Sequence, residues 1–81
     1  MLNLIEMNLN NLIEKMKPSI RKQLKDYKKK HKLSWREFGE IADYMGTYLC
    51  NIAQGKIDIK IEFIENMEQK GIIDTNVNKF I

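Results

Sequence analysis

The sequence predicts a small all-α protein, a bundle of four to five helices. Apolar residues recur at spacings of three and four along almost the whole chain, which is the periodicity of helices with one buried face. Ser34 and Glu37 form a capping box, which marks the start of a helix, and Gly55 and Gly71 each follow a periodic run as a terminator. With 81 residues, the chain is long enough for one domain with a small core.

The first segment, residues 1–17, is predicted to be an amphipathic helix. Its apolar residues follow the three–four spacing of a heptad seam: Leu2, Ile5, Leu9, Leu12 and Met16. Such a seam must be buried, so we expect it either to form a homodimer or to pack on its own domain, and both interpretations stay open. Pro18 is expected to begin a second helix, because proline suits the first helical position and disfavours helical geometry at Lys17.

The remainder, residues 18–81, is predicted to form the main domain with helices at about 18–30, 35–42, 46–54 and 59–70. Asp43 and Tyr44 are expected to form the turn between the middle two helices, and Asp58 to cap the last. The residues predicted to face the core are Ile20, Leu24, Tyr27, Phe38, Ile41, Ala42, Leu49, Ile52, Ala53, Ile61, Phe63, Ile64 and Met67. The end of the chain is predicted as a helical turn, or as an extended segment that covers the core through Ile72, Val77 and Phe80.

The charge is distributed unevenly, although the net charge is only +3. Residues 15–36 contain ten Lys or Arg and one acid, whereas residues 37–81 contain eight acids and four lysines. A basic segment of this kind is expected in a protein that meets phosphate groups. The alternative is a solvated, lysine-rich helix without a nucleic-acid partner.

Several classes of protein are disfavoured by the composition. No apolar run approaches the roughly 18 residues of a membrane span, and the first residues lack a signal-peptide pattern, so we expect a cytoplasmic protein with no membrane partner. The single Cys50 and single His31 predict no metal site, and Cys50 is expected to be a half-buried packing residue. No nucleophile or histidine accompanies the acids of residues 37–43, so neither an enzyme nor a cofactor is expected.

Residues 33–56, LSWREFGEIADYMGTYLCNIAQGK, resemble the helix-turn-helix of the phage-repressor and Cro-like (XRE-type, lambda-repressor-like) DNA-binding family without a gap. The positions that carry the resemblance are Leu33 and Ser34 at the opening, Phe38 and the small Gly39, the apolar pair Leu49 and Ile52, the closing Gly55 and Lys56, and Leu24 and Tyr27 of the preceding helix. Four positions depart from the family pattern: Trp35, Asp43, Met45 and Gly46. Because Met45 replaces the usual cap, Thr47 is an alternative cap, and the recognition helix would then begin later.

The resemblance implies a sequence-specific regulator of phage or mobile-element type that binds double-stranded operator DNA as a dimer and represses transcription. Helical spacing then gives Thr47, Tyr48 and Asn51 as base contacts. The expected phosphate contacts are Ser34, Trp35, Arg36, Gln54, Lys56, Lys60, Lys28 and Lys30. The alternative is a protein-binding module such as an antirepressor, an antitoxin or an anti-CRISPR inhibitor, which the sparse recognition face at Met45 and Gly46 favours.

Overall fold

The computed structural model of the protein describes the backbone of residues 2–75 and the side chains of residues 13–75. It contains four helices: α1 (Leu2–Lys30), α2 (Trp35–Ala42), α3 (Gly46–Ala53) and α4 (Ile61–Gln69). Residues 2–75 include no β-strand. The prediction of an all-α fold is confirmed.

Helix α1 continues through Pro18, so the prediction that one helix ends near Lys17 and another begins at Pro18 is wrong. The predicted boundary between residues 17 and 18 therefore falls inside a helix. A proline within a helix costs about 3 kcal/mol. Met16, Ile20 and Leu24 are all buried on one face of α1, on both sides of the proline, and each contributes about 1.5–3 kcal/mol. Their combined burial outweighs the cost, while Pro18 itself stays exposed.

The core lies between the second half of α1 and the three shorter helices. Its largest fully buried side chains are Phe38, Phe63, Ile20, Leu24, Leu49, Ile52 and Met67. All seven were predicted to face inward, and that prediction is confirmed. Tyr27, also predicted to face inward, is half-buried and packs against this cluster.

Ile41 was predicted to face the core, but it is 49% exposed. Helix α2 buries Phe38, Gly39 and Ala42, which together occupy one side of the helix. Ile41 is rotated about 100° from Ala42 around the helix axis, which carries it beyond the edge of the buried side.

Helix α4 begins two residues later than predicted, and Lys60 rather than Asp58 is its N-cap residue. Asp58 instead accepts a hydrogen bond from the N–H of the next residue, Ile59, at 2.9 Å. Ile59 lies before the helix and is buried, whereas Ile61, predicted to face the core, is 56% exposed. Because the helix starts later, Ile59 is buried in the core and Ile61 is exposed to solvent.

The connection between α2 and α3 is short, and the helix end on each side of it has well-defined geometry. Asp43 ends α2 in the left-handed conformation with φ 63°, as the predicted turn requires. Helix α3 begins at Gly46 after Met45, which makes no side-chain cap, so the alternative in which Thr47 caps a later-starting helix is wrong. The predicted terminators Gly55 and Gly71 have φ of 81° and 72°.

Two glycines allow the backbones of α2 and α3 to touch. A Cβ atom on Gly39 would clash with the carbonyl oxygen of Tyr44 and would lie 2.8 Å from the nitrogen of Gly46. A Cβ atom on Gly46 would lie 2.6 Å from the carbonyl oxygen of Trp35. The two helices therefore approach at distances that only glycine permits at these positions.

Lys17 is a buried cation that joins α1 to the connection before α4. It is 8% exposed, and its Nζ lies 2.8 Å from a carboxylate oxygen of Glu14 and 2.8 Å from one of Asp58. The hydrogen bond with Asp58, followed by that with Glu14, raises the pKa of Lys17 above its usual range. The same bond with Lys17, supported by the N–H of Ile59, lowers the pKa of Asp58.

Two further side chains of α1 hold later segments. Arg21 donates from Nε to the carbonyl oxygen of Ile52 at 3.1 Å, near the end of α3. Gln23 accepts from the N–H of Asp74 at 2.6 Å and donates to its carbonyl oxygen at 2.9 Å.

Residues 72–75 follow Gly71 without forming a helix, and part of this segment lies against the core. Ile72 and Ile73 are both buried, so the predicted contact through Ile72 is confirmed. Val77 and Phe80, the other two residues predicted to cover the core, lie outside the described residues.

Gly39→Ala is expected to destabilise the protein by about 1–3 kcal/mol, because the new methyl group forces two backbones apart. Alanine favours a helix over glycine by about 1 kcal/mol, so the sign of the change separates the two effects. The measurement is urea unfolding followed by circular dichroism. Glu40→Ala, at the exposed neighbouring position, is the control and should change stability by less than about 0.5 kcal/mol. A Gly39→Ala variant as stable as the parent would contradict close backbone contact.

Asp58→Asn is expected to remove part of the acid sensitivity of folding. The pKa of Asp58 is lower in the folded chain than its usual 3.8, so its pairing stabilises the fold above that pH. The contribution is lost as the pH falls through the lowered pKa. The variant should be less stable near neutral pH, and its unfolding free energy should decline less steeply in acid. Urea unfolding over the range from neutral to strongly acid pH measures both effects. Asp26→Asn, an exposed acid of α1 without an ion pair to the described residues, should leave the slope unchanged.

Candidate nucleic-acid interface

Helix α3 has one face in the core and an opposite face that is open to a partner. Its buried residues are Leu49, Ile52 and Ala53. We call the residues on the opposite face, including the position directly after the helix, the outer stripe: Thr47, Cys50, Asn51 and Gln54. They are spaced so that they share one side of a helix, and all four are uncharged. Gln54 donates from Nε2 to the sulfur of Cys50 at 3.2 Å.

Exposure decreases from the ends of the outer stripe toward its middle. Thr47 and Gln54 are exposed, whereas Cys50 and Asn51 are half-buried, as the sequence predicted for Cys50. The side-chain amide of Asn51 makes no hydrogen bond with the described part of the chain, so its donor and acceptor are available to a partner. Helical spacing therefore correctly located Thr47 and Asn51 on the outward side, while their contact with bases stays a prediction.

Tyr48, the third predicted base contact, does not lie on the outer stripe. Its half-buried ring stacks on Tyr44, with ring centroids 5.6 Å apart, and meets the ring of Phe63 edge-on at 6.1 Å. Tyr44 also packs on Phe63 at 5.1 Å and accepts a hydrogen bond from the amide of Asn66 at 2.9 Å. Tyr48 thus belongs to an aromatic group that fastens the α2–α3 turn and α3 to α4.

A shallow groove lies between the N-terminal ends of α2 and α3. It is lined by Trp35, Arg36, Gly46, Thr47 and Cys50. The groove joins one predicted base contact, Thr47, to two predicted phosphate contacts, Trp35 and Arg36. Its existence depends on Gly46, whose backbone rests directly against that of Trp35 and Arg36. This role was not predicted, since the missing side chain of Gly46 suggested only a weaker recognition surface.

The ring of Trp35 contacts two neighbouring side chains. The ring stacks on Phe38 at 6.1 Å with an interplanar angle of 8°, and the Nζ of Lys28 lies 5.1 Å from its centroid. A cation over a tryptophan face is attracted by the negative face of the ring. This contact brings a positive charge of α1 to the start of α2, where Arg36 is also exposed.

Ser34 begins α2 through the predicted capping box. Its hydroxyl oxygen accepts from the N–H of Glu37 at 3.1 Å, and the Glu37 carboxylate accepts from the N–H of Ser34 at 2.9 Å. The hydrogen bond from the Ser34 backbone N–H, followed by one from the Ser34 hydroxyl, lowers the pKa of the Glu37 carboxylate and keeps it negatively charged. A phosphate that contacts Ser34 would have to approach beside this carboxylate.

The other predicted phosphate contacts fall into two groups. Lys56 and Lys60 are exposed in the connection that follows α3, and the N–H of Lys56 donates to the carbonyl oxygen of Asn51 at 2.8 Å. Lys30 is exposed in the last turn of α1 and lines a different depression, together with Tyr27 and His31. Lys28 and Arg36 therefore lie near the start of α2, and Lys56 and Lys60 follow α3. Lys30 lies elsewhere and does not line the groove.

A second depression adjoins the groove at the turn between α2 and α3. Its lining includes the carboxylates of Glu40 and Asp43 together with Met45, which is 75% exposed. Arg36 lines both depressions and approaches Glu40, with Nε 3.8 Å from the carboxylate oxygen. The positive charge at the groove is thus bordered by negative charge on one side.

Met16, one of the five residues of the predicted dimer seam, is buried in the core of its own chain. The side chains of the other four, Leu2, Ile5, Leu9 and Leu12, lie outside the described residues. At Met16 the seam therefore packs on its own domain, as one of the two open interpretations expected.

The described residues contain neither a membrane-spanning helix nor a cluster of metal ligands. Among the helices that the structure describes, none combines the length and apolar character needed to cross a lipid bilayer. Across residues 13–75, no group of three or more His, Cys, Asp or Glu side chains is arranged to hold a metal ion.

Comparison of the chain with protein-family models, with curated proteins and with solved structures finds no match.

Proposed function

We propose that the protein is a sequence-specific regulator that binds double-stranded DNA through α3. One observation carries the proposal: an uncharged polar stripe on a short helix has exposed cations on both sides of it along the chain. Base edges are read by polar side chains, whereas phosphates are bound by cations and helix ends. The outer stripe and the lysines and arginine around it supply both kinds of contact.

In the proposed complex, α3 enters the major groove. The groove is about 12 Å wide and accepts a helix whose diameter with side chains is about 10–12 Å. Thr47 and Asn51 then meet base edges. Arg36 and Lys28, with Ser34 and Trp35, meet one phosphate backbone, and Lys56 and Lys60, with Gln54, meet the other.

The resemblance of residues 33–56 to the phage-repressor and Cro-like family supports a helix-turn-helix built from α2, the turn and α3. It also supports binding as a homodimer to a two-fold operator, with half-sites about 34–36 Å apart, and repression by occlusion of a promoter. The N-terminal heptad seam is the proposed dimer contact, and a phage or mobile-element origin fits the same resemblance.

The decisive experiment measures binding of the whole chain to labelled DNA from its own promoter, beside a scrambled duplex, at low and near-physiological salt. We expect a preference of about a thousandfold or more for the promoter at physiological salt. Asn51→Ala should abolish most of that preference. Gln69→Ala, an exposed amide on α4, is the matched control and should bind as the parent does.

Weak binding that disappears with salt and ignores the sequence would contradict the proposal. It would mean that the lysines attract DNA only through counterion release. Binding that keeps its preference in Asn51→Ala would remove Asn51 from the recognition surface.

Leu9→Lys is expected to convert the proposed dimer into a monomer, since it places a charge in the middle of the apolar seam. Sedimentation equilibrium gives the mass of each form. Lys22→Ala, at an exposed position of α1, is the control and should leave the mass of the dimer unchanged. An unchanged mass in Leu9→Lys would contradict dimerisation through the N-terminal seam.

A second candidate function is a protein-binding module, such as an antirepressor, an antitoxin or an anti-CRISPR inhibitor. The exposed Met45 beside Glu40 and Asp43 favours it, because a phosphate backbone is repelled by carboxylates and gains nothing from a methionine. A stable complex with a protein partner that survives Asn51→Ala, together with no preference among DNA duplexes, would support this candidate over the first.

A further inference from the structure

We propose that the groove between the N-terminal ends of α2 and α3 receives the 5-methyl group of a thymine, and that Asn51 reads an adenine beside it. The inference deepens the proposed function and depends on it. It assigns A·T pairs, read in the major groove, as the chemical target of the outer stripe.

The lining of the groove is suited to a methyl group. Besides Arg36, the groove is lined by Trp35, Thr47 and Cys50, which offer apolar or weakly polar groups, and by Gly46, which has no side chain. Arg36 is the charged residue in this lining. The thymine methyl is the apolar feature that the base pairs present in the major groove, and threonine methyl groups and other small apolar groups are its usual protein contacts.

Two residues that line the groove are held in place by contacts within the chain. The ring of Trp35 stacks on Phe38 and lies near the ammonium group of Lys28, and Cys50 accepts a hydrogen bond from Gln54. Gly46 cannot move toward α2, because it already touches the backbone of that helix. A pocket formed in advance favours one shape of ligand without the entropic cost of ordering it.

The outer stripe also lacks the chemistry for the commonest contact with guanine. Guanine is read most often by the paired donors of Arg or Lys, and none of the four residues of the stripe is a cation. Asparagine pairs with N6 and N7 of adenine through one donor and one acceptor, and the Asn51 amide has both available. Arg36, at the edge of the groove, is the competing candidate, and it would read guanine instead.

The test begins with selection of bound sequences from a pool of random duplexes by the full chain. In the enriched sequence, each thymine is then replaced by uracil, one position at a time, which removes only the methyl group. We expect one thymine in each half-site whose replacement weakens binding about three- to fivefold, the effect of one buried methyl group.

Thr47→Ser links that thymine to the groove, because it deletes the methyl group of this side chain and keeps the hydroxyl. In this variant the same uracil replacement should change affinity by less than about twofold, since the methyl contact is already lost. Thr75→Ser, the same substitution outside α2 and α3, is the matched control and should keep the full effect of uracil.

The outcomes separate the inference from the function beneath it. If no sequence is enriched, the proposed DNA-binding function and this inference both fail. If a sequence is enriched but consists of G·C pairs, or if uracil is tolerated at every position, the function stands and the methyl pocket is overturned. A uracil effect that persists unchanged in Thr47→Ser also overturns it, because the methyl group is then bound elsewhere.

Discussion

The arrangement of α2 and α3 depends on the absence of a side chain at two positions. Gly39 and Gly46 let the backbones of the two helices touch, and this contact sets the distance between their axes. The distance determines where the turn carries Tyr44 and where the groove lies. Most helix pairs are separated by interdigitating side chains, so their spacing tolerates small adjustments. Here the contact is between backbones, and the outer stripe is held at a fixed distance from Trp35 and Arg36.

Helix α1 organises the remainder of the fold through polar bonds as well as apolar burial. Lys17, Arg21 and Gln23 reach three segments that are distant in sequence: the connection before α4, the end of α3 and the segment at Asp74. Burying the ammonium group of Lys17 would be costly if it were alone, but two carboxylates offset the loss of water. These bonds set the position of the short helices along the axis of α1. Apolar packing is not directional and does not define that position by itself.

Local signals in the sequence were sufficient for much of the fold. The capping box at Ser34, the left-handed turn at Asp43 and the terminator at Gly55 each act within a few neighbouring residues, so they were predicted correctly. Pro18 was misjudged because a tertiary effect, burial on both sides of the proline, outweighs its local preference. Asp58 was misjudged for a similar reason, since the buried Lys17 engages the carboxylate that would otherwise cap α4.

The candidate site was harder to predict than the helices. Spacing located Thr47 and Asn51 on the outward side of α3, but Tyr48 packs against aromatic rings supplied by the turn and by α4. Nothing local distinguishes a tyrosine that packs in this way from one that faces a partner. Lys17 is likewise one of ten cations in a basic segment, and only the folded chain shows which of them is buried.

The residues that hold α3 in place and those that face outward from it are almost entirely different residues. The side chains of Thr47 and Asn51 form no hydrogen bond within the described chain, and the Gln54 side chain bonds only to its neighbour on the stripe. Substituting these residues therefore changes the contacts that α3 can make with a partner, while the packing of the helices is kept. During evolution, residues of the outer stripe can be substituted one at a time and so create contacts with new partners. Gly39 and Gly46 cannot be substituted in this way, because any side chain there would disturb the backbone contact. Divergence in a lineage of this protein should accordingly concentrate on one side of a single eight-residue helix.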